Sequence, residues 1–422
     1  MRSNKRFFRL QSAMQPPQPI DAHPLEFSGS GGEYFRVWIV NVLFSIVTLG
    51  LYTPWARRRT VQYFYGHTLV AGSPLEFTAP QGKMVKGFAL LLLITLTYQL
   101  AANTGQDLAV GLLLLAGAVL APWIWGSAMR FRLVSTRWRG LRLHFNASWK
   151  EVYTASWPVF ALALVWMGVF LGLQALSPGL SDALQAVEGA KVAARAPRAS
   201  LFHPAMGGVL LLGLLLSVLC FIRLEYNYKS LLVLRTQVGA EAGRWKPVYL
   251  DFVKIWLATV AVFVACAAIF GALIGLLAGS YIAMAASSGK DLWLWRLVMG
   301  AAAMVGSILM LFLASVPARA YREARIFQLL WNNIGISQVA RFKCYLPTSS
   351  YVWLRIKNTL LTLLTLGLYR PFARVSEYRF KLESVTLYIK GSVDQVAGTL
   401  VLQQQSGLGD ALADAAGLDL IG

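Results

Sequence analysis

The side chains whose types and spacing suit chemistry are arginines set among aromatics: Arg57-Arg58-Arg59, Arg130-Phe131-Arg132 and Arg137-Trp138-Arg139. A planar guanidinium matches phosphate in a two-pronged fashion, and tryptophan favours the membrane–water interface. The clusters are therefore candidate contacts for an anionic lipid headgroup or a phosphorylated ligand, with Arg57, Arg58, Arg59, Arg130, Arg132, Arg137, Trp138 and Arg139 as the residues. The plainer reading is retention charge with interfacial anchors. Little else points to a reaction. The cysteines (Cys220, Cys266, Cys344) and histidines (His23, His67, His144, His203) are scattered, which supports no metal site or disulfide framework. No phosphate-cradling glycine loop or nucleophile elbow occurs. None of the 19 acids sits in the middle of an apolar run; Asp107, Glu151, Glu225 and Asp251 lie at run edges. That argues against proton-coupled pumping. Thr95, Thr97, Tyr98 and Gln99 suit either a polar path for uncoupled transport or hydrogen bonds between helices. No cofactor and no catalytic residue is expected.

The elements that must position these arginines are membrane spans. The chain of 422 residues is 57% hydrophobic and only 14% charged. Six apolar runs reach the roughly 18 residues of a span candidate: 85–102, 108–125, 152–176, 205–222, 255–280 and 292–316. They read as three helical hairpins. The four connectors, 54–86, 127–151, 223–254 and 318–350, hold 22 Lys and Arg against four in the three tips. Positive loops stay inside, so connectors and both chain ends are expected in the cytosol. The net charge of +20 then faces an anionic leaflet. Nucleic acid is not an expected partner, because no binding module accompanies the charge.

Two repeats organise the rest. Residues 41–57, NVLFSIVTLGLYTPWAR, return as 358–374, NTLLTLLTLGLYRPFAR, with 10 of 17 positions identical. The shared motif includes Asn41, Gly50, Tyr52 and Pro54, matched by Asn358, Gly367, Tyr369 and Pro371. If the second copy crossed the bilayer, Arg370, Arg374, Arg379 and Lys381 would lie outside, against the charge rule. Both copies are therefore expected to enter from the cytosolic side, cap on glycine, and turn back, half-inserted and shielded by the spans. The rival is an inverted-topology repeat in which both copies span. In the connectors, Pro54-Trp55, Thr68, Gly72 and Phe77 recur 68 residues later as Pro122-Trp123, Thr136, Gly140 and Phe145, and Pro317 and Gly335 keep the Pro-to-Gly spacing of 18. Leu75–Phe77, Leu141–Phe145 and Val385–Ile389 have strand patterning. Short cytosolic hairpins gathered into one small sheet are expected, or else ordered loops.

Glu33-Tyr34-Phe35, Asn41 and TLGLYTPWARRR, with Thr136-Arg137-Trp138-Arg139-Gly140 and the C-terminal TLGLYRPFAR, resemble the motifs of domain-of-unknown-function family 898, the YjgN-like bacterial inner-membrane proteins. The resemblance covers roughly residues 25–395; Phe372 stands where tryptophan is more usual. It implies a bacterial cytoplasmic membrane and brings no established activity, so no functional residue carries over.

The expected architecture is a polytopic α-helical membrane protein with six full spans, two repeat-related half-inserted (or spanning) helices and small cytosolic β segments. Residues 1–32 read as a mobile basic arm and 33–395 as one membrane domain. Within that domain lie a first repeat element at 33–78, the hairpins at 85–316 and a last repeat element at 351–395. Residues 396–422 read as an acidic tail. Gly271, Gly275 and Gly279 form a small-residue face for helix packing in the third hairpin or for homo-oligomerisation. The expected function is a non-enzymatic module whose basic cytosolic face binds anionic phospholipid or a partner protein. The alternative is a transporter or channel without proton coupling.

Overall fold

The computed structural model describes residues 20–176, 204–239, 241–287, 293–337 and 339–402. The remainder of the basic arm, the tip at 177–203, the tip residues Lys290 and Asp291, and the tail beyond 402 lie outside the described residues. Two compact units form. One holds Leu93–Arg130 and Asn146–Arg235, and the larger one holds the rest.

In chain order the strands are β1 (Ile20–Pro24), β2 (Glu26–Phe27), β3 (Thr68–Val70), β4 (Ser73–Phe77), β5 (Thr136–Trp138) and β6 (Leu141–Phe145), then β7 (Thr236–Val238), β8 (Glu241–Trp245), β9 (Ile334–Ile336), β10 (Ala340–Cys344) and β11 (Val385–Lys390). The helices are α1 (Gly31–Val47), α2 (Thr53–Gly66), α3 (Gln81–Asn103), α4 (Asp107–Val134), α5 (Trp149–Ala155) and α6 (Trp157–Leu176), then α7 (Pro204–Arg235), α8 (Tyr249–Ser287), α9 (Trp293–Asn333), α10 (Thr348–Leu364), α11 (Arg370–Leu382) and α12 (Val393–Leu402).

Among the described residues, six helical stretches are long and apolar enough to cross a membrane: α3, α4, α5 with α6, α7, α8 and α9. Several run past the apolar stretches into the connectors; α9 alone has 41 residues, roughly 60 Å of helix. No more than 22% of any apolar window is buried, so these helices offer their sides to lipid. α6 packs along α7 and α8 along α9, whereas α3 and α4 touch little beyond their tip. The glycine-permitted close approach lies in the second hairpin, where a Cβ on Gly213 would sit 2.4 Å from the Val169 side chain. No described atom comes within 4 Å of a Cβ built on Gly271, Gly275 or Gly279. Among the described atoms no packing through that face is formed.

The strand segments gather into far more than small β pieces. They make one antiparallel sheet of eleven strands in the order β1-β11-β10-β9-β8-β7-β6-β5-β4-β3-β2. Its two ends are one stretch of chain. β1 pairs with β11, β2 pairs with β3, and only Leu25 separates them, its amide donating to the Val385 carbonyl at 3.0 Å. Hydrogen bonding therefore runs round a closed ring, which leaves no long exposed edge. Each connector contributes one hairpin, and three residues separate each hairpin from the next helix. Ala71-Gly72 and Arg139-Gly140 turn with φ of 47°, 73°, 48° and 82°, positive at both central positions as a tight two-residue hairpin requires. In the fourth hairpin the positive φ falls on Ser337, and Gly335 lies inside β9. The Pro317-to-Gly335 spacing is therefore not structurally equivalent to the first two.

The ring is filled. Val385, Leu387 and Ile389 alternate on its inner face and are buried. Val393, Val396, Ala397, Leu400 and Val401 of α12 share apolar clusters with residues of β3, β5, β6, β7, β9, β10 and β11. A helix of ten residues meets so many strands only from within the ring. The boundary drawn at 395/396 thus falls inside an element, as does the arm boundary at 32, which falls in α1.

Candidate functional site

The two copies of the 17-residue motif fold alike. α1 and α10 each have 17 residues, end at a threonine, and are followed at once by α2 or α11, which has proline in its first turn. The Thr48 hydroxyl donates to the Phe44 carbonyl (2.7 Å) and accepts the Tyr52 amide (3.0 Å). Thr365 does the same with Leu361 and Tyr369, at 2.7 and 3.0 Å. Leu49 and Gly50 have φ of 50° and 89°, Leu366 and Gly367 51° and 94°. The Gly50 and Gly367 amides reach back to the Ser45 and Thr362 carbonyls at 2.7 Å, the six-to-one bond of a left-handed helix end. Pro54 and Pro371 are buried. Asn41 and Asn358 fasten the returning helix, each Nδ2 donating 3.3 Å to the carbonyl of Ala56 or Ala373. Neither copy is a single helix that starts near the asparagine. Each is a helix–turn–helix, and its first helix begins ten residues earlier.

The two helical hairpins pack together. Phe35 stacks on Phe372 with centroids 5.6 Å apart, Arg374 donates to the Tyr34 hydroxyl at 3.3 Å, and Arg379 donates to the Gly29 carbonyl at 2.6 Å. Phe27, Tyr34, Phe64 and Val375 form the buried cluster between them. Their tips point out of that cluster. Leu49 and Leu366 are 94% and 95% exposed. Burial, then the Glu33 carboxylate, pushes the Tyr63 hydroxyl up to about 12. Glu33 itself is held below the usual carboxylate range, first by the Ser30 amide and then by the Ser30 hydroxyl.

The eight basic and aromatic candidates separate into distinct jobs. Arg139 sits in the β5–β6 turn, where its Nε donates to Ser73 Oγ (2.8 Å), one terminal nitrogen donates to the Ala71 carbonyl (3.1 Å), and the other pairs with Asp394. Trp138 donates to the Val70 carbonyl at 3.1 Å and packs with α12. These two staple hairpins to one another and to the inner helix. Arg137 lies between Glu76 and Arg142 in the strand register. Arg130 donates to the Ala147 carbonyl at 2.5 Å and lies 3.9 Å from the Trp149 ring centroid. Arg132, Arg57 and Arg59 are exposed; Arg59 lies 6.0 Å from the Tyr52 ring centroid, and Arg58 is half-buried.

A second constellation escaped the motif reading. A groove of about 600 Å³ between α9 and the α10–α11 hairpin is lined by the polar Arg355, Asn358, Arg370, Arg374 and Glu377 and by the apolar Phe312, Leu363 and Leu366. Arg355 pairs with Glu377, and Asn358 also donates 3.0 Å to Glu377 Oε1. The signal was available: at the repeat offset, Trp38, Thr53 and Thr60 stand where Arg355, Arg370 and Glu377 stand in the second copy.

A family model described as "Bacterial protein of unknown function (DUF898)" matches residues 22–415. The chain belongs to this family. Among curated proteins it is 29% identical over 155 residues to "Inner membrane protein YjgN" of Escherichia coli O157:H7, an alignment covering 36% of this chain and 37% of the relative. The YjgN proteins of Escherichia coli K12 and Salmonella typhimurium are 27% and 28% identical over 153 and 148 residues, covering 36% and 34% of this chain and 37% and 36% of the relatives. The chain thus matches little more than a third of the length of these relatives. No solved structure matches.

Proposed function

We propose that this multi-pass protein of the bacterial inner membrane is a non-enzymatic module. It inserts two helical hairpins part-way into the cytosolic leaflet and holds anionic headgroups with the arginines behind their tips. The observation that carries this reading is the composition of the ring. One hydrogen-bonded sheet takes a hairpin from each of the four connectors and strands from both flanks of the spans. Strands paired in one sheet lie on one face of a bilayer, since lipid satisfies no backbone groups. With β2 and β3 in that sheet, the chain between them, α1 and α2, must leave and return on the same face. The same holds for α10 and α11 between β10 and β11.

The tips suit the hydrocarbon. Val47, Leu49, Leu364 and Leu366 are each at least 78% exposed. On the returning helices, Trp55 or Phe372 comes first, then Arg57-Arg58-Arg59 or Arg374, about half a turn to one turn further toward the headgroup region. A basic residue near an anionic leaflet contributes about 1 kcal/mol. The transport reading has less support, because the ring's interior is packed with apolar side chains and α12.

Spin labels at positions 49 and 366 of the full chain in phosphatidylglycerol-containing bilayers test the reading. Both should be reached by dissolved oxygen and shielded from a water-soluble nickel chelate, and labels at 57 and 374 should show intermediate depth. Free access of the chelate to 49 and 366 would end the half-insertion idea.

A further inference from the structure

The groove beside the second helical hairpin is polar in a place where its sibling is not. With Trp38, Thr53 and Thr60 at the matching positions, the first hairpin has the same backbone geometry and no ion pair there. In the second, Arg355 and Glu377 neutralise each other and Asn358 steadies the carboxylate. Two guanidiniums remain on the groove wall. Arg370 is exposed and has no ion pair among the described residues. Arg374 is exposed too; its guanidinium donates to the Tyr34 hydroxyl and lies 5.7 Å from the Phe64 ring centroid. Phe312, Leu363 and Leu366, which line the same groove, are apolar and 45%, 42% and 95% exposed. A volume of about 600 Å³ falls in the range that holds a discrete small ligand.

We propose that this groove is a specific site for one phosphate ester carrying an acyl chain, an anionic phospholipid of the cytosolic leaflet. Its phosphate is held by Arg370 and Arg374 and its chain lies along Phe312, Leu363 and Leu366. Guanidinium pairs recognise the phosphate in a way a lysine point charge does not. The apolar wall selects an amphiphile over a soluble ester. This assignment rests on the half-inserted reading, which brings the hairpin to lipid depth, and it adds a single stoichiometric site to a diffuse preference. Because the first copy lacks the counterpart of Arg370, the site occurs once per chain.

Native mass spectrometry of the full chain, released from bilayers of equal phosphatidylglycerol and phosphatidylcholine, reads both levels. The wild type should retain phosphatidylglycerol preferentially, with one copy surviving the strongest activation. In Arg370→Gln with Arg374→Gln, occupancy of that last copy should fall about tenfold or more, while Arg57→Gln with Arg58→Gln and Arg59→Gln leaves it in place. Arg370→Gln alone alters an exposed side chain with no described ion pair, so it keeps the test open should the double variant misfold; a fall of about fivefold is expected. Retention of the resilient copy in these groove variants, with the overall preference intact, would overturn the groove and leave the module standing. No preference in the wild type would overturn the module as well. Displacement by sn-glycerol 3-phosphate as readily as by dihexanoyl phosphatidylglycerol would reject a lipid in favour of a soluble ester.

Discussion

Set side by side, the α1–α2 and α10–α11 hairpins share a backbone and differ in what they place on it. Both turn through a left-handed Leu-Gly pair, both lock the turn with a threonine hydroxyl, and both brace the return with an asparagine. The first brace stops there: Asn41 donates to one carbonyl, and its buried Oδ1 has no partner among the described residues. The second grows into a network, since Asn358 also donates to Ser376 Oγ and Glu377 Oε1, both at 3.0 Å. The motif therefore specifies a helix–turn–helix device, and the residues the copies do not share specify what each device meets. In the first copy that is packing: Tyr34 is 1% exposed and its ring lies 4.9 Å from Phe64. In the second it is a charged groove.

The sharpest way to break this comparison is to remove the ion pair and its counterpart. Glu377 has a side chain only 13% exposed, and Arg355 is 37% exposed. Glu377→Ala strands the arginine and takes an acceptor from Asn358. Losing one member of a partly buried pair costs about 2–3 kcal/mol, at the low end because Arg355 reaches water. Thr60→Ala at the matching position should cost about 0.5 kcal/mol or less. Thermal unfolding of the full chain in detergent reads both. Equal losses would mean that the second hairpin is no more polar in its energetics than the first.

Where the copies agree, the effects should match. Gly50 and Gly367 have φ of 89° and 94° with no described atom within 4 Å of a built Cβ, so alanine at either is expected to meet backbone strain. Each substitution should cost about 1 kcal/mol, and the two melting shifts should agree within error. A much larger loss at one position would show that the turns are not equivalent.

How far the sequence led follows from the range of each interaction. The 17-residue motif is legible because its turn, caps and brace join residues at most 15 apart. The spans are legible from hydropathy. The ring is not, since β1 must find β11 across more than 360 residues and strands such as Thr68–Val70 are too short to carry alternation. Leu141–Phe145 and Val385–Ile389 show the pattern; Glu241-Ala242-Gly243-Arg244-Trp245 does not, and its hairpin carries no such signal. α12 was readable: Val393, Val396, Ala397, Leu400 and Val401 follow helical spacing, yet the acidic residues beyond them drew the boundary too early. Clustering reports the charge of Arg139 but not its three protein partners, Ser73, Ala71 and Asp394.

The smallest expected effect separates the two hairpins at their entrances. Ser30 caps α1 in a reciprocal box with Glu33, whereas α10 follows Pro347, which offers no side-chain cap, and has no acid in its first turn. Tyr63 and His67 also face the Glu33 carboxylate. Because Glu33 is depressed in the folded protein, its contribution is fully present above the unfolded carboxyl value of about 4.3 and is lost as pH falls through the lower folded value. Hydrogen exchange, corrected for intrinsic rates, should therefore show residues 30–34 losing protection between pH 6 and pH 3, with little change at 348–351. Glu33→Gln should remove that pH dependence, whereas Ser30→Ala keeps the backbone amide that holds the carboxylate and should leave most of it in place. If residues 30–34 stay equally protected across that range, the box is not what fastens the first hairpin to the ring, and the Tyr34–Phe64–Val375 cluster must hold α1 by itself.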